Sequence, residues 1–145
     1  MIQKDLDCLY CSRNLLQQEL MIEICDLPTS TLFLFKEQSY KGRCVVAYKD
    51  HVNELFELNK SERAAFIEDV NLVAKSLKAA FSPAKINMGA YSDKLKHLHF
   101  HIVPKYENGV DFGGTFQMNP KAVYLSDAQY NELIQQIKDS IDRLK

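Results

Sequence analysis

Hydrophobic and polar positions partly alternate over Met21-Ile22-Glu23-Ile24-Cys25-Asp26-Leu27, Pro28-Thr29-Ser30 punctuates, and Thr31-Leu32-Phe33-Leu34-Phe35 is rich in strand formers. This pattern predicts a β-hairpin. Lys41-Gly42 marks a turn before a third strand, Arg43-Cys44-Val45-Val46-Ala47-Tyr48. Asn59-Lys60-Ser61-Glu62 reads as a capping box, Asn59 holding backbone amides and Glu62 reaching back. It opens a long helix in which Phe66, Ile67, Val70, Val73, Ala74, Leu77 and Phe81 recur at helical spacing and form a core-facing stripe. Ser82-Pro83 ends that helix, residues 84–90 form a fourth strand, and Tyr91-Ser92-Asp93 leads into a fifth. In the fifth, Lys96-His97-Leu98-His99-Phe100-His101-Ile102-Val103-Pro104-Lys105, period-2 alternation places His97, His99 and His101 on one face and Leu98, Phe100 and Ile102 on the other. Glu107-Asn108-Gly109 and Gly113-Gly114 mark a loop. Ser126-Asp127-Ala128-Gln129 then caps a final helix with Tyr130, Leu133, Ile134, Ile137, Ile141 and Leu144 on one side.

Consecutive strands joined by short turns, with one long intervening helix, predict an α+β fold with a mainly antiparallel sheet and helices packed against it. At 145 residues, with 46% hydrophobic and 26% charged residues, the chain is expected to form one domain over residues 1–145. A net charge of -1 implies no overall attraction to nucleic acid or to an anionic membrane. The acidic N-terminus, Met1-Ile2-Gln3-Lys4-Asp5-Leu6-Asp7, does not read as a secretory signal, and no run of about 18 apolar residues occurs. A cytoplasmic, soluble protein is expected. In that setting Cys8, Cys11, Cys25 and Cys44 are thiols or metal ligands rather than a disulfide framework, and Cys25 and Cys44, inside apolar runs, read as buried thiols.

Three of the four histidines fall in the alternating window. The alternation leaves three readings open: a half-exposed strand with solvated histidines, three metal ligands around an open fourth position, or a histidine nucleophile flanked by supporting histidines. Cys8-Leu9-Tyr10-Cys11 is a C-x-x-C whose short loop lets two thiolates face one ion. The residues after it lack the context of a thioredoxin-like redox site. The remaining ligands of a zinc site must then be histidines, with His51 the natural third and one of the triad the fourth.

His97-Leu98-His99-Phe100-His101-Ile102-Val103, continued by Pro104-Lys105, resembles the signature of the histidine triad (HIT) family. The similarity extends through Ile86-Asn87-Met88-Gly89, Gly42-Arg43-Cys44-Val45-Val46, His51-Val52 and the pair Cys8 and Cys11, in the family's order. Asp111-Phe112-Gly113-Gly114 and the last helix look like one bacterial branch of it. The resemblance implies a five-stranded antiparallel sheet and a two-fold homodimer. It also implies one structural zinc ion per chain on Cys8, Cys11, His51 and His97. Such a Cys2His2 set is closed and would pin the N-terminal arm to the sheet.

The activity implied is that of a hydrolase or nucleotidyl transferase acting on a dinucleoside polyphosphate or a nucleoside phosphoramidate. His99 attacks the α-phosphorus, His101 donates a hydrogen bond to the phosphate or leaving group, and His97 orders the strand. Asn87 matches a family asparagine near the nucleotide. Two alternatives stand beside this reading: a nucleotide-binding regulatory protein without hydrolysis, and a tri-histidine metalloenzyme using His97, His99 and His101.

The chain also departs from the family. Arg43 replaces a histidine that hydrogen-bonds to the triad, and since it can neither accept a hydrogen bond nor act as a base, the orienting role is expected to pass to zinc. Ser92-Asp93-Lys94 stands where phosphoramidase-type members carry Gly-Gln-Ser; Asp93 repels phosphate there and Lys94 attracts it. The family's ribose-binding aspartate has no clear counterpart, its place falling near Phe35 with Glu37 two residues on. No Walker-type glycine loop supports kinase or ATPase chemistry. Phe112 and Phe116 are loop aromatics that either line a site or dimer contact or fold back.

Overall fold

A computed structural model describes residues 5–94 and 96–145. Two short helices, α1 (Leu9–Ser12) and α2 (Leu15–Leu20), precede the strands β1 (Met21–Asp26), β2 (Ser30–Phe35) and β3 (Cys44–Tyr48). After a 3-10 turn at Leu55–Glu57 come α3 (Lys60–Phe81), β4 (Lys85–Gly89), β5 (His99–Lys105) and α4 (Asp127–Leu144). The five strands form one sheet in the order β1-β2-β3-β5-β4, and every neighbouring pair is antiparallel. The chain meanders through β1, β2 and β3. α3 then crosses to the far edge, where β4 lies, and β5 returns into the gap against β3. That insertion puts the histidine strand inside the sheet rather than at its rim.

Both faces of the sheet are covered, which explains why β2 and β3 are buried at every position and read as continuous apolar runs. On one face Leu32, Leu34, Cys44, Val46, Leu98 and Ile102 meet Phe66, Val70, Val73 and Leu77 of α3 and Ile137 and Ile141 of α4. On the other, Phe33, Phe35, Val45 and Ala47 form a smaller cluster with Leu9 and Met21. The histidines share this second face, because Ala47 pairs with His99 and Val45 with His101 across β3 and β5. Cys44 is fully buried and Cys25 partly so, both as thiols.

Both expected capping boxes are complete: Asn59 with Glu62 at α3, and Ser126 with Gln129 at α4. Ser82 closes α3 in the left-handed region at φ 51°. Ile67 departs from the expected stripe and is 41% exposed. At about 100° per residue it stands at the margin of the arc centred on Phe66, Val70, Val73 and Leu77, beyond the reach of the sheet. The two N-terminal helices are too short for periodicity to announce them; Asn14 caps α2 by accepting from the Gln17 amide at 3.0 Å. Gly42, at φ +90°, fills a place where a Cβ would sit 2.7 Å from the Phe81 ring. Among the described residues, no helix is long and apolar enough to cross a membrane.

Candidate functional site

β5 and the turn before it present the three histidines, and each ring is oriented by a different partner. Hydrogen bonds from Leu98 N to Val52 O at 2.7 Å and from Tyr48 N to Leu98 O at 2.9 Å extend the backbone pairing upstream to Leu98, next to His97. His97 Nε2 donates to the Tyr48 carbonyl at 2.7 Å, and His99 Nδ1 donates to the His97 carbonyl at 2.7 Å. A carbonyl only accepts, so these two nitrogens carry protons, leaving lone pairs on His97 Nδ1 and His99 Nε2. His101 is the reverse case. Arg43 Nη2 lies 3.0 Å from its Nδ1, and a guanidinium only donates, so Nδ1 carries the lone pair and Nε2 the proton.

All three rings are nearly sealed from solvent, and burial favours the neutral imidazole. It pushes His99 below the ordinary histidine value and His97 down to about 4. For His101, burial and the adjacent Arg43 charge together lower the value to about 3. Each ring is therefore neutral at physiological pH, in a tautomer set by its partner.

The lone pair of His97 points into a second cluster. Cys8 and Cys11 stand three apart across α1 and so project to one side. One donor atom each from Cys8, Cys11, His51 and His97 lies within 4.8 Å of the others. A tetrahedral zinc ion separates sulfur and nitrogen ligands by about 3.6 Å, from bond lengths of about 2.3 and 2.05 Å. The observed separations are 3.3 Å for Cys8 Sγ to His97 Nδ1, 3.7 Å for Cys11 Sγ to the same nitrogen, and 3.5 Å for Cys11 Sγ to His51 Nδ1. The His97 ring is steered from behind by Tyr48, and Asp5 stands 3.9 Å from His51 Nε2. Donor chemistry and spacing both fit zinc. His97, His99 and His101 do not form such a group: the lone pair on His101 faces a guanidinium, whose charge repels a cation.

Tyr10, between the two cysteines, lies over the triad with ring centroids 5.2 Å from His97 and 4.9 Å from His99. Ser92 Oγ is nearly equidistant from the two ring nitrogens of His99, 3.1 Å from Nε2 and 3.2 Å from Nδ1. A cleft of about 410 Å³ opens beside Tyr10 and Cys11, lined also by Thr31, Phe33, Ala47 and Asp50. Another of about 500 Å³ opens beside Ser92, Tyr91 and Asn53.

Arg43 keeps part of the orienting role that was expected to pass to zinc. Fully buried, it orients His101 itself by donating to it, and it also donates to the carbonyls of Gln117 at 3.0 Å and Met118 at 2.9 Å. Its cation stacks 4.2 Å from the Phe35 ring centroid and 5.1 Å from that of Phe116. No carboxylate among the described residues pairs with it, and burial pushes it down to about 10, so it remains a cation at neutral pH. Phe116 folds back toward His101, with centroids 6.1 Å apart, whereas Phe112 is exposed.

Asn87 pairs with Val103, two residues beyond His101, and so shares the histidine face. Lys94 and Asp93 lie exposed on the loop before β5. Glu37 is no vacant ribose acceptor, since its oxygens accept from Ser39, Ala122 and Val123. Tyr10 and Ser92 were missed as site residues. The position of Tyr10 inside the C-x-x-C was the one available signal; nothing local announces that Ser92 reaches His99.

A five-stranded antiparallel sheet with three alternating histidines on one face, and a Cys2His2 cluster at their upstream end, defines a histidine triad architecture. Residues 21–108 match the HIT domain family, and the chain belongs to it. It is 26% identical over 114 residues to the protein named Protein hit from Bacillus subtilis (strain 168), a match covering 75% of this chain and 74% of that one. The fold is that of a histidine triad protein from Bradyrhizobium japonicum, with a TM-score of 0.81, 19% identity and coverage of 88% and 96% of the two chains. A Zn-bound histidine triad family protein from Mycobacterium smegmatis is also similar, with a TM-score of 0.69, 15% identity and 96% coverage of each chain.

Proposed function

We propose that this protein is a nucleotide hydrolase or nucleotidyl transferase that works through a nucleotidyl-histidine intermediate. One observation carries the reading: His99 Nδ1 is committed to the His97 carbonyl, so the neutral Nε2 lone pair is directed at the site, beside a neighbouring imidazole that holds its proton on Nε2. The His99 lone pair attacks the α-phosphorus of a nucleotide and the bond to the leaving group breaks with its electron pair. The adduct carries its positive charge on an imidazolium whose Nδ1–H still donates to the His97 carbonyl. Water then attacks the phosphorus, His99 regains its lone pair, and a nucleoside monophosphate and one proton depart. His101 donates from Nε2 to a phosphoryl oxygen, a preorganised contact of the kind that contributes several kcal/mol. The Ser92 hydroxyl, 3.1 Å from Nε2 in the resting site, is released toward the phosphate as the nitrogen–phosphorus bond forms there.

Asn87, on the same face, serves the nucleotide, and exposed Lys94 attracts phosphate to the entrance. Cys8, Cys11, His51 and His97 hold one structural zinc ion per chain. Bound there, zinc supplies a cross-link between the N-terminal segment and the sheet, fixing Tyr10 and His97. The protein works as a cytoplasmic homodimer.

The test is intact-protein mass spectrometry after brief mixing with adenosine 5′-phosphoramidate and, separately, diadenosine tetraphosphate, with AMP release followed in parallel. A transient adenylyl adduct that is absent in His99→Ala supports the reading. Turnover by His99→Ala at the parent rate would refute it. Nucleotide affinity with neither adduct nor AMP would favour a binding protein instead, a reading supported by the burial of His99 beneath Tyr10 and Ser92.

A further inference from the structure

We infer that the Arg43–His101 pair restricts this site to substrates whose leaving group departs as a stable anion, a phosphoanhydride rather than a phosphoramidate. The inference rests on the nucleotidyl-transfer reading of the same site and narrows its substrate class.

Breaking a P–O anhydride bond leaves the electron pair on a phosphate oxygen, and no proton is needed. Breaking a P–N bond leaves it on nitrogen, which must take up a proton to depart as an amine. The ring beside the nucleophile must supply that proton or pass it on. His101 holds a proton on Nε2, but giving it up makes an imidazolate unless Nδ1 gains one at the same time. Here Nδ1 already accepts from Arg43 at 3.0 Å.

That guanidinium cannot act as a relay. It stays cationic at neutral pH, it is fixed by the carbonyls of Gln117 and Met118, and it stacks on Phe35. The charged and titratable groups closest to it offer no substitute. Glu37 is engaged by Ser39, Ala122 and Val123; the Tyr40 hydroxyl donates to Asp111 at 2.5 Å; the Tyr10 phenol is driven up by burial. His99 is the nucleophile itself, and the Ser92 hydroxyl is far too weak an acid. His101 is therefore a fixed hydrogen-bond donor that stabilises charge and transfers no proton. A histidine at position 43 could accept and return a proton; arginine removes that path while strengthening the positive potential felt by an anionic leaving group.

Two measurements test this. The first is kcat/KM on diadenosine tetraphosphate and on adenosine 5′-phosphoramidate, for the parent and for Arg43→His. General acid catalysis contributes about 100-fold or more, so the parent should favour the anhydride by at least that factor. Arg43→His should shift the ratio toward the phosphoramidate by about tenfold or more. Equal use of the two substrates by the parent, or an unchanged ratio in a folded Arg43→His protein, overturns the inference. The second needs no variant: long-range proton–nitrogen NMR of histidine-labelled parent protein distinguishes a protonated ring nitrogen from a bare one. His101 should appear solely as the Nε2–H tautomer at neutral pH, and an Nδ1–H form or an imidazolium would overturn the inference even if Arg43→His did not fold. Loss of both adducts would instead refute nucleotidyl transfer, and the inference with it, whatever tautomer is found.

Discussion

Replacing Glu37 by glutamine separates a structural carboxylate from a ligand-binding one. Glu37 is 3% exposed. One oxygen accepts from Ser39 N at 2.7 Å, and the other from Ser39 Oγ at 2.7 Å, Ala122 N at 3.0 Å and Val123 N at 2.8 Å. A glutamine keeps one acceptor, which remains best placed facing the latter three donors. Its amide then confronts the Ser39 N–H, leaving a donor without an acceptor at a cost of about 1–3 kcal/mol. The three surviving bonds lose their charge assistance, about 1 kcal/mol each at most, partly offset because a charge is no longer buried. The expected loss is about 3 kcal/mol, read from urea unfolding at pH 7, or about 10 °C in Tm.

The pH dependence has a definite sign. Burial alone would raise this carboxyl's pKa, but the bonds from Ser39, Val123 and Ala122 outweigh it and hold the group below its ordinary value. Its contribution is present above the unfolded value of about 4.3 and is lost as pH falls through the lower folded value. The difference between parent and Glu37→Gln should therefore shrink on acidification below about pH 4. A variant within about 0.5 kcal/mol of the parent at pH 7, with a raised KM for nucleotide, would refute the structural assignment and return Glu37 to the ribose.

Cys8→Ser and Cys11→Ser should each lose zinc by elemental analysis. With free zinc at about 100 times the dissociation constant, loss of the site removes about 2.7 kcal/mol of stability; stoichiometric zinc in both variants would refute the ligand set. Gly42→Ala, which places a Cβ at φ +90° and 2.7 Å from the Phe81 ring, should cost about 2–3 kcal/mol in chemical denaturation. A cost below about 0.5 kcal/mol would show that the turn relaxes and that Phe81 yields.

What was legible in the sequence was local or periodic. The capping residues of α3 and α4 act within one turn, and the alternation around His99 needs only the pleat of a strand. α1 and α2, at four and six residues, are too short for a helical period to declare itself. The site contacts that escaped join distant positions: Arg43 to His101 across 58 residues and Glu37 to Val123 across 86. Glu37 shows why position alone misleads, since a carboxylate near the end of β2 stands close to where a ribose ligand is expected yet turns to hold a loop.

The triad carries that lesson furthest. Its three histidines are equivalent in the motif and differ only in what their ring nitrogens meet. The Tyr48 carbonyl turns the His97 lone pair toward the cysteines, the His97 carbonyl turns that of His99 toward the site, and Arg43 reverses the tautomer of His101. A ligand, a nucleophile and a donor thus arise from one side chain in three settings. Of the three settings, the one made by Arg43 is particular to the residue at that position. Substituting it would leave the motif intact and change what the third histidine can do.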